Sequence, residues 1–387
     1  MYGDHHEPGG MGQVDDRGLT PLAALEEATL SGLQRSPCLV SFSGGRDSSS
    51  VLAAATRAAR REGLALPVPV TLRVSNAPMA EESTWQEHVV RHLGLRDWQL
   101  LEVGADELDR LGPLSTAVHG RHGVLYPPNT FLQLPMLDAA RGGALLSGLG
   151  GDELFGAWAW RSHADVLARR SRPTLRDARR FAYAAFPTGV RRWREGRRNW
   201  FREMTWLRPE AAHIASRLAA GAHAEQPRSW ARWVGWLIGR RAICAQRWSL
   251  SLLAADIGTR LLHPLLDPTF LLVVARSGGR LGFGDRTTAM QAMFADALPD
   301  RLLSRTTKAR YSEALWGPRT REFATRWSGR GVDGALVDPA ALRREWLKPS
   351  PHEGSAMLLH QAWLSEQRNA KVPQLPSEPL VQRSADD

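Results

Sequence analysis

The sequence predicts an α/β protein in which a parallel sheet with helices on both faces is followed by a mostly helical region. Residues 20–150 alternate between segments of helical periodicity and apolar runs of strand length, whereas residues 151–365 show helical patterns that prolines interrupt. Strands separated by helices pair in parallel, and such sheets bind ligands at the carboxyl ends of their strands. The loops that follow the predicted strands are therefore the places where a ligand is expected.

The first predicted element is a helix over residues 19–33, in which Thr20 is a favourable N-cap and Pro21 lies in the first turn. The apolar run 37–42 predicts the first strand. After a glycine-rich turn, the alanine-rich residues 47–63 predict the second helix.

Three more strands are predicted, at residues 68–74, 98–103 and 143–148. Helices are predicted between them over residues 81–94 and over residues 129–142, the latter despite Pro135. The alternation stops after the fourth strand, so the parallel sheet is expected to contain these four strands.

The chain is divided near residue 160 into an α/β core, residues 19–160, and a helical region, residues 161–365, that completes the domain. The terminal segments 1–18 and 366–387 are polar and rich in glycine or proline, so both are predicted to be flexible.

Composition excludes several classes of protein. The mean hydropathy is −0.32 and no apolar run reaches about 18 residues, which excludes a membrane-spanning protein. The N-terminus MYGDHHEPGG lacks the features of a secretory signal, so a cytoplasmic location is expected. Cys38 and Cys244 are too few for a disulfide framework, and the histidines show no metal-binding spacing.

The net charge of +10 is concentrated in residues 189–249, which hold 13 Arg, 4 Glu and seven of the 15 Trp. Two interpretations remain open for this segment. Trp230, Trp233 and Trp236 are spaced by three, which predicts a buried helical stripe. Alternatively, the tryptophans form an apolar wall and the arginines bind carboxylates of a large substrate.

The first glycine-rich loop, SGGRDSS over residues 43–49, lies between a predicted strand and a predicted helix. Its glycines let backbone N–H groups approach an anion, and the helix N-terminus adds partial positive charge. The hydroxyls of Ser43, Ser48 and Ser49 can donate further hydrogen bonds. Asp47 would repel bare phosphate, so we expect it to hold Mg²⁺ that is bound to the phosphates.

The second glycine-rich loop, SGLGGDELFG over residues 147–156, follows the fourth predicted strand. It has the same order of strand, glycines, acidic residue and helix. Because the carboxyl ends of parallel strands meet at one edge of a sheet, the two loops are expected to face one cleft. Asp47 and Asp152 could then share the magnesium ion.

These two loops together resemble the motifs of the asparagine synthetase family, which carries an ATP-pyrophosphatase loop and a second motif of the form SGEGxDELFGG. Two downstream segments extend the resemblance. Residues 258–267 (GTRLLHPLLD) are similar to the family's Arg-x-Pro-Phe-Leu-Asp segment, and residues 297–317 resemble its Leu-Pro…Arg-x-x-Lys segment. The resemblance implies the fold of the adenine nucleotide alpha hydrolases, with ATP and Mg²⁺ as cofactors.

The resemblance also implies the site residues. The residues expected to bind the nucleotide are Ser41, Phe42, Ser43, Gly44, Gly45, Asp47, Ser48, Ser49, Val74, Ser147 and Gly148. Asp47 and Asp152 are the expected metal ligands. Lys308 takes the position of the family's catalytic lysine, where an ammonium would stabilise negative charge as it develops. Asp267 is interpreted first as a structural cap or as a partner of Arg260.

Two departures from the family pattern bear on the substrate. The chain begins Met1-Tyr2 and its first loop starts at residue 43, so no glutaminase domain is expected. Leu149 replaces the Glu of the glutamine-dependent enzymes, and leucine cannot orient or deprotonate an amine. Glu153, Glu81 or Glu82 could supply a base instead. Of these, Glu153 is expected to be the catalytic residue.

The resemblance therefore implies an AMP-forming amide ligase, with the departures favouring the family's natural-product branch, such as β-lactam synthetases and lasso-peptide macrocyclases. The expected partners are a carboxylate substrate, small or peptidic, and an amine or ammonia donor, which a separate protein could supply. An ammonia-dependent asparagine synthetase, a non-catalytic ATP-binding relative and an RNA-modifying ATP-pyrophosphatase remain alternatives. Nucleic acid is not among the expected partners.

Overall fold

A five-stranded parallel sheet forms the centre of the protein, whose computed structural model describes residues 18–74, 83–156, 158–305 and 313–367. The strands are β1 (Cys38–Ser41), β2 (Val68–Val74), β3 (Gln99–Val103), β4 (Ala144–Leu146) and β5 (Arg260–Leu262). They lie in the order β3-β2-β1-β4-β5, and each neighbouring pair is parallel. The predicted α/β class is confirmed.

Helices connect and follow the strands. Those before β5 are α1 (Pro21–Leu33), α2 (Arg46–Glu62), α3 (Ser83–His92), α4 (Ala105–Leu108), α5 (Pro113–His122), α6 (Leu134–Ala139), α7 (Gly151–Gly156), α8 (Arg161–Leu167), α9 (Leu175–Ala185), α10 (Thr188–Gly196), α11 (Pro209–Ala224), α12 (Trp230–Ile238) and α13 (Arg241–Ile257). Those after β5 are α14 (Pro268–Gly278), α15 (Arg286–Phe294), α16 (Asp300–Leu303), α17 (Pro318–Arg326), α18 (Pro339–Trp346) and α19 (Ala356–Gln367). None of the helices in these described ranges is long and apolar enough to cross a bilayer.

The first two helices begin and end as their sequences predict. The Thr20 side chain caps α1 by accepting the N–H of Ala23 at 3.2 Å, with Pro21 in the first turn. Helix α2 ends at Gly63, whose φ of +65° is a left-handed conformation that glycine adopts without strain.

Two predictions about the elements were wrong. Residues 129–142 do not form one helix: a 3₁₀ turn over Thr130–Gln133 precedes α6, because Pro135 is accommodated in the first turn of a helix and not in its interior. The sheet has five strands and not the expected four, because β5 lies within residues 151–365, where only helices were predicted. This strand has three residues, too few for any periodicity to mark it.

The sheet is covered on both faces, as the alternation of its side chains requires. Val40 and Leu146 belong to a core shared with α1, α2 and α14, whereas Leu39 and Leu145 belong to a second core shared with α6 and α13. A third core, formed by α17, α18 and α19, is rich in tryptophan.

The strand order creates one crevice in the sheet. From β1 the chain crosses to β2 and β3 on one side, and it then returns to place β4 on the other side of β1. The connections after β1 and β4 therefore diverge, which is the topological switch point where open α/β sheets bind ligands. The two glycine-rich loops are the segments that leave β1 and β4 at this point.

Candidate active site

The two glycine-rich loops touch each other above the β1–β4 crevice. A Cβ atom on Gly148 would lie 2.9 Å from the backbone nitrogen of Ser48, and one on Gly151 would lie 2.2 Å from Cγ of Asp47. Real Cβ atoms do not approach other atoms so closely, so only glycine allows this contact. The prediction that both loops face one cleft is confirmed.

The first loop is shaped to present backbone N–H groups at the N-terminus of α2. Gly44 has a φ of +78°, and the Ser43 and Ser48 hydroxyls lie 3.2 Å apart. The first intrahelical hydrogen bond runs from the N–H of Ser49 to the carbonyl of Gly45 at 3.0 Å. The N–H groups of residues 46–48 thus lie at the open end of a 17-residue helix, where an anion is stabilised.

Several expected nucleotide-binding residues lie inside the fold. Ser49 is fully buried, and its hydroxyl has no hydrogen-bond partner among the described residues, so its position argues against direct contact with phosphate. The Phe42 ring is buried, its N–H donates to Val70 at 2.8 Å, and its carbonyl accepts the Thr71 hydroxyl at 2.6 Å. Both backbone groups of Phe42 are therefore already engaged within the fold.

The remaining expected residues lie at the ends of β1 and β2. The Ser41 hydroxyl contacts Met136 Sδ at 3.3 Å, below the loop. Val74 is the last residue of β2, beside Val103 in β3, and residues 75–82 lie outside the described ranges. The roles of Ser41 and Val74 stay predictions.

The second loop is fixed by a histidine that the sequence analysis did not single out. Ser147 Oγ lies 2.7 Å from Nδ1 of His263, and it also accepts the N–H of Leu149 at 3.3 Å. Burial, together with the nearby charge of Arg247, lowers the pKa of His263 to about 4. His263 is therefore neutral at physiological pH and holds Ser147 by hydrogen bonding, not by charge.

Asp47 and Asp152, the two expected metal ligands, are joined by the guanidinium of Arg286. Its Nη2 donates to both carboxylate oxygens of Asp47 at 2.7 and 2.6 Å, and its Nη1 donates to Asp152 at 2.5 Å. Burial alone would lower the pKa of Arg286, but the two carboxylates outweigh it and raise the pKa. Arg286 thus offsets one of the two negative charges.

The two carboxylates fit a magnesium ion that is also bound to substrate phosphates. Mg²⁺ is commonly held by one or two carboxylates, with phosphate oxygens and waters completing its shell. Asp47 lies in the first turn of α2, beside the proposed phosphate position, and Asp152 lies in the first turn of α7. The donor atoms therefore suit the ion in kind and in place.

Further basic residues surround the first loop. Arg305 donates to the carbonyl of Gly44 at 3.1 Å, and Arg46 donates to Thr287 Oγ1 and to the carbonyl of Leu303, both at 3.2 Å. Arg305 is the arginine of the Arg-x-x-Lys segment. The chain just before the expected catalytic lysine therefore contacts the first glycine-rich loop. Lys308 itself lies outside the described residues.

Glu153 is half-buried next to the two aspartates. Burial, and then the charges of Asp152 and Asp47, raise its pKa. A pKa raised by burial beside other acids is a property found among carboxylates that act as proton acceptors in active sites. Glu81 and Glu82, the other candidate bases, lie outside the described residues.

The structural interpretation of Asp267 is confirmed, and the tryptophans of residues 189–249 divide between the two interpretations. Asp267 caps α14 by accepting the N–H groups of Thr269 at 2.8 Å and Phe270 at 3.2 Å. Trp230 and Trp233 form a buried stripe on α12, whereas Trp193 is largely exposed. Burial thus accounts for Trp230 and Trp233 and leaves the exposed Trp193 and Trp248 to be explained.

The sequence analysis missed Arg286 and His263 as members of the site. Arg286 directly follows Asp285, which caps α15 by accepting the N–H of Thr288, and an aspartate cap marks a helix start without marking a site. His263 lies within the quoted GTRLLHPLLD segment, but the strand that it follows, β5, was not predicted, so the sequence did not mark its place at the end of a strand.

A comparison with models of protein families matches residues 23–366 to the family described as asparagine synthase. A comparison with curated proteins gives no match. The match includes both glycine-rich loops, all five strands and the segment that carries Arg286.

Proposed function

Because the chain belongs to the asparagine synthase family of ATP-dependent amide ligases, we propose that it activates a carboxylate as an acyl-adenylate and then joins it to an amine. In the first step a carboxylate oxygen attacks the α-phosphorus of ATP, and pyrophosphate leaves. In the second step the amine nitrogen attacks the acyl carbon, AMP leaves, and the amine loses a proton. The observation that carries the proposal is the contact between the two glycine-rich loops at the switch point.

We place the nucleotide phosphates at the N-terminus of α2. There the positive end of the helix and the loop formed by Ser43, Gly44 and Gly45 would stabilise an anion. Mg²⁺, when held by Asp47 and Asp152, would offset the phosphate charge that builds up as pyrophosphate leaves. Lys308 is proposed to stabilise charge on the reacting phosphate and acyl oxygens.

Glu153 is the proposed acceptor of the amine proton. Leu149 has no atom that can accept a proton, and Glu153 is the nearest acid on the same helix turn beyond Asp152. Its raised pKa makes it a stronger base than an ordinary glutamate once it is ionised.

We also propose a substrate larger than aspartate and ammonia, as in natural-product or peptide biosynthesis. Leu149 in place of glutamate supports this, since the amine must be oriented by other groups. The exposed arginines and Trp193 on α10 support it as well, because they offer a surface on which a larger anionic molecule can bind.

The test is pyrophosphate release from ATP and Mg²⁺ with a panel of amino acids, β-amino acids and acidic peptides, each with and without ammonia. Release with a peptide or larger acid, independent of ammonia, is expected. Release only with aspartate plus ammonia would replace the proposal with an asparagine-forming enzyme. No release with any acid would contradict the adenylation step itself.

The metal assignment is tested with Asp47→Asn and Asp152→Asn. Each removes one proposed ligand charge without changing side-chain size, and each is expected to abolish acid-dependent release. Asp97→Asn is the matched control, since Asp97 is exposed and lies far along the chain from both loops. Full activity in either site variant would contradict the assignment.

A further inference from the structure

A cavity of about 380 Å³ lies against helices α10 and α11, outside the two loops. Its polar and aromatic lining consists of Arg192, Trp193, Arg197, His213 and Arg217, and we call it the α10–α11 pocket. Gly196 opens its wall, since a Cβ there would meet nothing within 4 Å. A volume of this size is in the range of ligand pockets.

The α10–α11 pocket carries positive charge that few nearby carboxylates offset. No carboxylate lines it. Among the described residues its one ion pair joins Arg192 to Glu225 at 3.9 Å, between side chains that are 61% and 40% exposed. An exposed pair at that distance contributes little. The pocket therefore favours an occupant with negative charge.

The pocket also exposes apolar surface. Trp193 is 62% exposed, and the Arg197 guanidinium lies 4.4 Å from the centre of its ring. Ile214 and Leu218, one turn apart on α11, are exposed as well. Large apolar side chains that are exposed on these two helices favour contact with an apolar group of a partner.

We propose that the α10–α11 pocket binds an acidic segment of a separate polypeptide that carries at least one large apolar side chain. Its carboxylates pair with Arg197 and Arg217, and its apolar side chain packs on Trp193. Nucleic acid fits less well, because aliphatic Ile214 and Leu218 offer no stacking surface and Arg197 already covers one face of Trp193. The proposal rests on direct binding and does not depend on the proposed ligase reaction.

The experiment measures fluorescence polarisation of a labelled peptide of alternating glutamate and leucine, titrated with the full chain. Arg197→Ala/Arg217→Ala is expected to weaken binding by about 10-fold or more, since charge-assisted hydrogen bonds are lost. Trp193→Ala is expected to weaken it by about 5-fold or more, from the lost apolar contact.

Two matched controls separate the pocket from general surface properties. Trp248 on α13 is 61% exposed, nearly the same as Trp193, so Trp248→Ala should leave binding unchanged. Arg96→Ala/Arg344→Ala removes the same charge from exposed positions elsewhere. Equal weakening by the controls, wild-type binding by Trp193→Ala, or tighter binding of a single-stranded RNA than of the peptide would each overturn the proposal.

A second inference concerns Arg286 and rests on the proposed function. Its guanidinium donates hydrogen bonds to three carboxylate oxygens, two of Asp47 and one of Asp152, at 2.5 to 2.7 Å. A shared magnesium ion would need oxygens of the same two groups at about 2.0–2.1 Å. The guanidinium and the ion therefore compete for the same oxygens.

We infer that Arg286 is a positioning residue that holds the two aspartates together until the metal and the nucleotide arrive. Its side chain is 22% exposed, so it has access to the cleft once the carboxylates release it. Its Nε is buried and donates to no described atom. After displacement the cation can pair with phosphate oxygens, so that its charge stays in the site.

Metal binding without nucleotide tests this inference. Mn²⁺ is titrated into the nucleotide-free chain and followed by electron paramagnetic resonance, for wild type, Arg286→Met and the control Arg280→Met. Arg286→Met is expected to bind Mn²⁺ about 10-fold or more tightly, because no cation must leave the carboxylates, while Arg280→Met, exposed at the end of α14, matches wild type.

The outcomes separate this inference from the proposed function. Unchanged or weaker Mn²⁺ binding by Arg286→Met would overturn the competition, whether or not the wild type releases pyrophosphate. Tighter binding with no acid-dependent release in the wild type would keep the competition and contradict the ligase reaction.

Discussion

Gly151→Ala is the substitution that most directly tests the contact between the two loops. The new Cβ would lie 2.2 Å from Cγ of Asp47 and 2.5 and 2.6 Å from its carboxylate oxygens. Carbon atoms in contact normally lie about 3.5–4.0 Å apart. The Asp47 carboxylate must therefore move by about 1 Å or more, away from its place beside Arg286.

The magnitude follows from what Asp47 loses. Asp47 receives two hydrogen bonds from Arg286, and charge-assisted hydrogen bonds contribute about 1.5–3 kcal/mol each. Alanine is the better helix former by about 1 kcal/mol, which offsets part of the loss. We expect a net destabilisation of about 2–5 kcal/mol. We also expect a fall in turnover of about 100-fold, because a proposed metal ligand is displaced by about 1 Å.

The assay is acid-dependent pyrophosphate release, with urea unfolding measured in parallel. Gly156→Ala is the matched control: it makes the same change in the same helix, and its Cβ meets nothing within 4 Å. Wild-type turnover in Gly151→Ala, or an equal loss in Gly156→Ala, would refute the reasoning.

Three further predictions follow, the first from the family resemblance and the other two from described contacts. Lys308→Ala should leave ATP binding intact but lower turnover by about 100-fold or more, as stopped-flow and steady-state measurements would show; unchanged turnover would remove Lys308 from the site. The pKa of His263 is depressed to about 4 in the folded chain, so unfolding takes up a proton between about pH 6.5 and pH 4 and stability falls as the pH drops through that window. His263→Asn should flatten that part of the stability profile, by up to about 3 kcal/mol, and an unaltered profile would contradict the assignment. Asp267→Ala should cost about 1 kcal/mol in urea unfolding through loss of the α14 cap, with turnover nearly unchanged, and Asp338→Ala at the α18 cap should cost a similar amount.

The sequence predicted what depends on local pattern. Four strands are marked by apolar runs, and α1 and α2 carry their start or stop signals at Thr20 and Gly63. The meeting of the two loops was predictable as well, because parallel strands fixed which of their ends lie together.

What depends on distant parts of the chain was not predictable. Arg286 reaches Asp47 across 239 positions, and no spacing in the sequence connects them. Strand β5 is too short for a pattern and is defined by its pairing with β4. Pro135 shows the reverse case. Proline is tolerated in the first turn of a helix but not in its interior, and the predicted helix over residues 129–142 ignored this local rule.

The pairing of β4 with β5 has a consequence for any attempt to shorten the protein. The N–H of Ser147 donates to the carbonyl of Leu262 at 3.0 Å, so the second loop is held by a strand from beyond residue 160. A fragment over residues 19–160 would leave β4 as a bare sheet edge, lined by Ala144, Leu145 and Leu146, a template on which other chains can add strands and aggregate. The two glycine-rich loops therefore do not form an independent module, and a shortened version of the protein has to keep the chain at least through β5.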